Sequence, residues 1–377
     1  MQEEVYNRIR LNSLTGKYIT LDHLQPVLEN LKSKFSYKEL GKSVAGKPIG
    51  VLKAGQGSFR ILAWSQMHGN ESTTTKAALD YFNWLAHSSD SEVKTLLSKV
   101  SLYLIPILNP DGAQNYTRTN QNGVDLNRDA LKLSQPESKI LREAFQEIQP
   151  HYCFNLHDQR TIFSAGDTHR PATISFLAPS VDPGRSISTA REEAMKIIVG
   201  IKRQLPSDIT QQIGRYDDSF NPNCTGDRFQ QQVPTILFEA GHFHVDYHRE
   251  VTRRYIFLAI SSAVYQIATQ SFHWENRDWY FDIPQNRKNF VDILLKNAQI
   301  GEEIIDVGIQ FEEKLYQQNI RFEPKIHKIG PDLPFFGHFQ KDCEGQKVTL
   351  TEGRLPVEND LVTQIMLNGD NLLSKIE

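Results

Sequence analysis

The sequence predicts an α/β fold: a mixed, mostly parallel sheet sandwiched by helices, followed by a small β-rich C-terminal domain. Three observations lead there. Short, uninterrupted apolar runs recur along residues 1–268, as expected of central strands covered on both faces. Between them lie segments whose apolar residues repeat with a helical period, an alternation that places helices on the faces of a sheet. From about residue 270 the character changes to short runs punctuated by Gly and Pro.

The elements follow in order. Phe59 to Met67 reads as a strand and runs into His68-Gly69-Asn70-Glu71. Thr73 to Ala86 has a helical pattern with Ala77, Leu79, Phe82 and Leu85 as core positions, and Ser72 or a neighbouring Thr is suited to cap it. Ser101 to Leu108 is a second strand, ending at Asn109-Pro110-Asp111-Gly112. Ser138 to Ile148 is helical, and His151 to Asn155 is a strand leading to Leu156-His157-Asp158. Ser188 to Leu205 forms a long amphipathic helix stopped by Pro206. Val233 to Leu237 is a strand ending in Phe238-Glu239-Ala240-Gly241, and Tyr247 to Ile267 is a further helix. This gives a first domain over residues 1–269 and an aromatic, polar connector over 270–285. The β-rich domain over 286–377 carries runs at Phe290–Leu295, Ile304–Phe311, Ile320–Ile329 and Lys347–Leu350.

Composition narrows the function classes. Of 377 residues 39% are hydrophobic, enough for a substantial core, and the formal charge of −3 gives no reason to expect a nucleic-acid or anionic-membrane partner. The longest apolar run, Tyr255 to Ala268, is too short to span a bilayer. Three cysteines, odd in number and widely spaced, argue against a disulfide framework or a cysteine zinc site. The beginning Met-Gln-Glu-Glu-Val-Tyr-Asn-Arg lacks the basic and apolar segments of a secretory signal, so a cytoplasmic location is expected. Oligomeric state is not deducible.

In an open α/β sheet, ligands bind beyond the carboxyl ends of the strands. Here four such ends carry polar motifs. His68 and Glu71 form an HxxE pair, and an imidazole with a carboxylate suits Zn²⁺. With 12 histidines in the chain, about one such pair is expected by chance, so it is uninformative alone. His157 at one strand end and Glu239 at another alter that balance, because a carboxylate ending an apolar strand is costly unless paired, metal-linked or functional. His244 and His248 share an i, i+4 spacing but lack the glutamate of an HExxH site, and are expected to be solvated. Asp217-Asp218 is expected to be a solvated loop pair. Residues 109–129 are rich in turn formers and contain Arg118 and Asn127-Arg128, where an arginine fork beside an amide suits a carboxylate.

Jointly, these parts resemble the M14 zinc carboxypeptidases. HGNE at 68–71, NPDG at 109–112, Arg118, GVDLNR at 123–128, His157 and the FEAG glutamate at 239 occur in that family's order across residues 35–268. The resemblance implies a catalytic domain of that fold with one Zn²⁺ per chain held by His68, Glu71 and His157. It implies that Glu239 is the general base, that Arg118 stabilises the oxyanion, and that Asn127 and Arg128 bind the substrate's terminal carboxylate. Asp125 would orient His68, and Tyr216 would be the mobile substrate-capping tyrosine. The side-chain pocket would come from the same segment, with Asp227 or Cys224 lining it.

One departure concerns the clamp: Asp129 follows Arg128 where the family commonly has Asn, an acid expected to weaken anion binding or to favour a substrate with a nearby cation. The stretch ahead of residue 35 is too short for a folded inhibitory domain, so activity as synthesised is expected. The expected substrate is a peptide or small amide with a free carboxylate. The alternatives are a zinc amidohydrolase acting on N-acyl amino acids, similar to aspartoacylase and succinylglutamate desuccinylase, or a cell-wall peptide amidase. A third is a binding protein that keeps the fold without the chemistry. NPDG, Arg118 and the complete GVDLNR favour the peptidase branch, and Glu239 argues against an inactive binder.

Overall fold

The computed structural model describes residues 3–351 and 355–373. Two helices open the chain, α1 (Glu3–Ile9) and α2 (Leu21–Lys32). An eight-stranded mixed sheet follows. Its first strands are β1 (Ser36–Lys42), β2 (Pro48–Ala54) and β3 (Phe59–Ser65), after which come α3 (Thr73–His87), α4 (Ser91–Lys99) and β4 (Val100–Ile105). Next are α5 (Pro110–Asn115), α6 (Pro136–Ile148), β5 (Tyr152–Asp158), the short β6 (Phe163–Ala165) and β7 (Ile174–Leu177). The domain closes with α7 (Thr189–Gln204), β8 (Ile213–Arg215), α8 (Thr225–Gln230), β9 (Thr235–Ala240) and α9 (Glu250–Thr269). The strand order is β1-β2-β4-β3-β5-β9-β7-β8. The central run β4-β3-β5-β9 is parallel, so its carboxyl ends share one edge. Every residue of β5 is buried, as the unbroken apolar run predicts for a strand covered on both faces.

The local reasons for two helix starts differ from expectation. Ser72 does not cap α3 through its side chain; its hydroxyl donates instead to Lys17 O (2.6 Å). The cap comes from across the fold, because the Asp158 carboxylate accepts from Thr73 N (2.9 Å) and Thr74 N (3.2 Å). Helix α9 starts at Glu250 rather than near Tyr247 because the Asp246 carboxylate accepts from Glu250 N (2.7 Å), Val251 N (3.0 Å) and Thr252 N (3.0 Å). This satisfies the donors that the first turn leaves without intrahelical partners. Asp217-Asp218 also needs correction: Asp217 is exposed, but Asp218 is buried and pairs with the fully buried Arg191 (2.5 Å) and with Arg185 (2.8 Å). His244 and His248 are exposed.

The stretch expected to be a connector packs Phe272, Tyr280 and Ile283 into the main core. Strand β10 (Asn286–Lys288) then pairs with β6. Beyond it, β11 (Phe290–Ile300), β12 (Glu303–Tyr316), β13 (Asn319–Gly330) and β14 (Phe336–Asp342) form a sheet in the order β13-β12-β11-β14. Short strands β15 (Val348–Thr349), β16 (Met366–Leu367) and β17 (Asp370–Asn371) complete a second small core that includes Ile293, Leu295, Val307 and Ile365. All three cysteines are free. No helix among the described residues is long and apolar enough to cross a membrane.

Candidate active site

The parallel run delivers the polar motifs to one edge. Just beyond β3, Gln66 adopts φ 44° while fully buried. Its amide donates to Ile19 O (3.0 Å) and Gly69 O (2.9 Å) and accepts from Thr75 Oγ1 (2.9 Å), which fixes the loop that carries His68 and Glu71. That loop lies directly on the NPDG turn. A Cβ at Gly69 would fall 1.9 Å from Gly112 C, so only glycine permits the approach. Asn109 caps the start of α5 by accepting from Gly112 N (2.8 Å) and donates to Met67 O (3.2 Å), which binds the two strand ends together. The FEAG glycine is equally constrained, since a Cβ on Gly241 would lie 1.9 Å from Ala172 O.

Within this frame His68, Glu71 and His157 converge, with one donor atom from each lying within 4.8 Å of the others. Glu71 Oε1 is 2.8 Å from His68 Nδ1, and Glu71 Oε2 is 2.8 Å from His157 Nδ1. The two Nδ1 atoms are 3.2 Å apart. Two imidazole nitrogens aimed at each other and at one carboxylate need a cation between them, either a proton or a metal. Two nitrogens and a carboxylate oxygen at this spacing fit Zn²⁺ with one position left open. Burial works against ionisation of Glu71, but the flanking His68 and His157 outweigh it and hold its carboxyl well below the usual range. Burial also opposes charging of both histidines. Glu71 and Asp125 reverse that for His68, whose pKa is raised, whereas that of His157 is lowered.

Asp125 joins the His-Glu-His group to Arg118 and Asn127. Its Oδ1 lies 3.0 Å from His68 Nε2 and accepts from Asn127 N (2.9 Å), while its Oδ2 accepts from Arg118 Nε (3.0 Å). An imidazole that presents Nδ1 to a metal and Nε2–H to a carboxylate has its tautomer and ring orientation fixed. Arg118 also brings Nη1 to 3.5 Å from Glu71 Oε1, so its guanidinium lies at the edge of the triad. Asn127 accepts from Thr225 N through Oδ1 (3.1 Å) and turns its carbonyl toward α8. Arg128 donates through Nη1 to Asn127 O (2.7 Å) and Cys224 Sγ (3.1 Å).

Glu239 is the register partner of His157 in the β5–β9 pair, so the two side chains stand side by side on one face of the sheet. It is 9% exposed, and its Oε2 is buried without a hydrogen-bond partner, an arrangement expensive in a purely structural carboxylate. Burial, then the charges of Glu71 and Asp158, hold its carboxyl well above the usual carboxylate range.

A cavity of about 600 Å³ connects these groups. His68, Glu71, His157, Arg118, Asn127, Arg128, Tyr216 and Glu239 all line it. Both Asp227 and Cys224 line its wall. Tyr216 is half-buried with its ring 5.4 Å from Phe163. Asp129 does not join them, contrary to the expectation that it tunes the clamp. It is 2% exposed and turns away to accept from Ser134 N (3.0 Å), Ser134 Oγ (2.7 Å) and Gln135 N (2.9 Å). Two site residues escaped the sequence reading: Asp158, the remote cap of α3, and Gln66. Their roles depend on contacts across the fold, and no local pattern announces them.

The mixed α/β sheet thus carries at its carboxyl edge a His-Glu-His group that could hold a metal ion, flanked by Arg118 and Arg128. Residues 21–152 match the family model described as zinc carboxypeptidase. The chain is 30% identical over 166 residues to Carboxypeptidase SOL1 of Arabidopsis thaliana, covering 38% of this chain and 34% of that protein. It is 28% identical over 188 residues to Carboxypeptidase M of Mus musculus, covering 42% of each. The chain thus spans about a third of the first of these relatives and under half of the second. Its fold is similar to that of a metallo-carboxypeptidase from Burkholderia cenocepacia (TM-score 0.55, 19% identity, 67% of this chain and 69% of that one). It is also similar to a metallo-carboxypeptidase from Pseudomonas aeruginosa in complex with (2-guanidinoethylmercapto)succinic acid (TM-score 0.54, 18% identity, 65% and 68% covered).

Proposed function

We propose that the protein is a zinc-dependent carboxypeptidase that hydrolyses the C-terminal peptide bond of peptides. The observation that carries this reading is the single cavity that holds the His68-Glu71-His157 triad, Glu239 and the arginines together. His68, Glu71 and His157 would hold one Zn²⁺. Bound there, zinc would lower the pKa of a coordinated water and polarise the scissile carbonyl.

The chain's own residues do the rest. Arg128, with the Asn127 amide, binds the terminal carboxylate and sets the scissile bond beside Glu71. Glu239 takes a proton from the attacking water and returns it to the leaving amine nitrogen, so the amine departs neutral. Arg118, poised at the edge of Glu71, donates to the oxygen on which negative charge develops. Asp125 orients His68 and keeps Arg118 and Asn127 in register with it. Tyr216 closes over the bound residue, and Asp227 and Cys224 form the wall that meets its side chain.

The test is Glu239→Gln. It is expected to lower kcat by about 100- to 10,000-fold, the usual span for a positioned general base, with zinc content by atomic absorption unchanged. A variant that keeps both its zinc and its full activity would sink this mechanism.

A further inference from the structure

A second cavity, of about 590 Å³, opens on the other side of Glu71. It shares Glu71, Asp158, Gln159 and Arg160 with the first, so the two meet at the metal centre. The catalytic domain supplies only part of its lining. The rest comes from β12 and β13 of the C-terminal domain, Phe311, Glu312 and Phe322 among them, and from Asn359.

The floor of this cavity is aromatic. The Tyr247 ring lies 5.0 Å from Phe311 and 5.3 Å from Phe322, and all three are half-buried. Buried Asp292 fixes the cluster from below, accepting from Tyr247 OH (3.1 Å) and Phe311 N (2.7 Å). The wall is fastened to the catalytic domain next to the site. Gln310 donates to Thr161 Oγ1 (2.7 Å), four residues past His157, and Glu313 bonds to both Lys17 and Tyr116. The acids and lysines of the rim are mutually paired, Lys17 with Glu313 and Lys325 with Glu312. What they leave for a ligand is the surface of the Tyr247, Phe311 and Phe322 rings beside the uncharged polar residues Asn70, Gln159 and Asn359, with Arg160 at the junction.

From this we infer that the C-terminal β domain builds the acyl side of the substrate cleft. Once Arg128 holds a substrate's terminal carboxylate in the first cavity, the chain upstream of the scissile bond has to leave past Glu71. The second cavity receives it there. The ligand class is a peptide with two or more residues ahead of the scissile bond, at least one of them apolar or aromatic and resting on Phe322 and Phe311. The inference rests on the peptidase reading above and adds a substrate-length requirement to it.

The experiment compares a tetrapeptide carrying a phenylalanine two residues ahead of the scissile bond with an N-acetyl amino acid of the same C-terminal residue. Wild type is expected to show a kcat/KM at least tenfold higher for the tetrapeptide. Phe322→Ala, which removes the floor, and Phe322→Trp, which fills the cavity, are each expected to cut that ratio at least tenfold in protein with a wild-type melting temperature. An unchanged ratio in a folded variant overturns the inference while leaving the peptidase reading intact. If wild type hydrolyses neither compound, the peptidase reading fails, and calorimetry on the zinc-loaded Glu239→Gln protein decides separately. There, tetrapeptide binding at least tenfold tighter than the N-acetyl amino acid, lost in the Phe322→Ala background, supports the inference. Equal affinities overturn it.

Discussion

Asp129 and Arg128 are adjacent in sequence and face different tasks. Arg128 lines the cavity, and the Asp129 carboxylate closes a turn by accepting two backbone N–H groups and a hydroxyl. From the sequence they look like one electrostatic unit, because a linear reading places neighbouring charges at one point. The short helical turn Leu126–Arg128 ends between them, with Arg128 as its last residue and Asp129 as its C-terminal cap. Arg128→Ala is therefore expected to lower kcat/KM for free-carboxylate substrates by roughly 10- to 100-fold, from a charge-assisted contact of about 1.5–3 kcal/mol. Asp129→Ala is expected to cost about 1–3 kcal/mol of stability from the orphaned donors, with a much smaller effect on kcat/KM. Kinetics and urea denaturation of the two variants separate these outcomes. The grouping of His68, Glu71 and His157 was legible because His157 lies at the end of an apolar strand, His68 follows another, and the HxxE pair is local. Asp158 and Gln66 were not, since capping α3 from β5 and bracing a loop from within are relations between distant segments.

At the level of elements, the strand-helix alternation could be read because buried parallel strands are apolar throughout and surface helices keep a periodic face. Helix starts were less legible where the cap is remote, as at α3. Strand β14 was missed: Phe336–Asp342 is only half-buried at best and carries no apolar run. The loop after β8 shows how burial changes the meaning of a charge. Asp218 offsets Arg191, which also donates to Ala178 O (3.2 Å) and Arg185 O (2.6 Å) and so ties α7 to two loops near the cavity. Removing one partner of such a pair leaves an uncompensated buried charge. Asp218→Ala is expected to destabilise the protein by about 3–5 kcal/mol, measured as a drop in the urea midpoint, and a loss under 1 kcal/mol (about the value of an exposed pair) would contradict the assignment.

Across the whole molecule, the C-terminal strands meet the rest of the chain through polar groups buried beside the site. Asp292 is the clearest case: it is fully buried, and burial pushes its carboxyl up to about 6. A carboxyl raised above its unfolded value favours the folded state below that value, and the advantage is lost as pH rises through the folded one. The stability of wild type relative to Asp292→Asn is therefore expected to be greater at pH 4 than at pH 8, read by chemical denaturation at both. A difference that is flat or opposite in sign would show that Asp292 is not held neutral. The existence of a β-rich tail was legible in the sequence, but its position beside Glu71 was not, because that depends on contacts such as Glu313 with Lys17 that link segments far apart in the chain.

The central claim is that one cavity couples a metal centre to a carboxylate clamp. The most direct measurement is a substrate panel on zinc-quantified protein: peptides with free C-termini, the same peptides amidated, peptides with D-residues of cell-wall type, and N-acyl amino acids. Release of the C-terminal residue from the free peptides with no detectable release from their amidated forms is the predicted result. Equal cleavage of amidated peptides, or a preference for N-acyl amino acids, would contradict it.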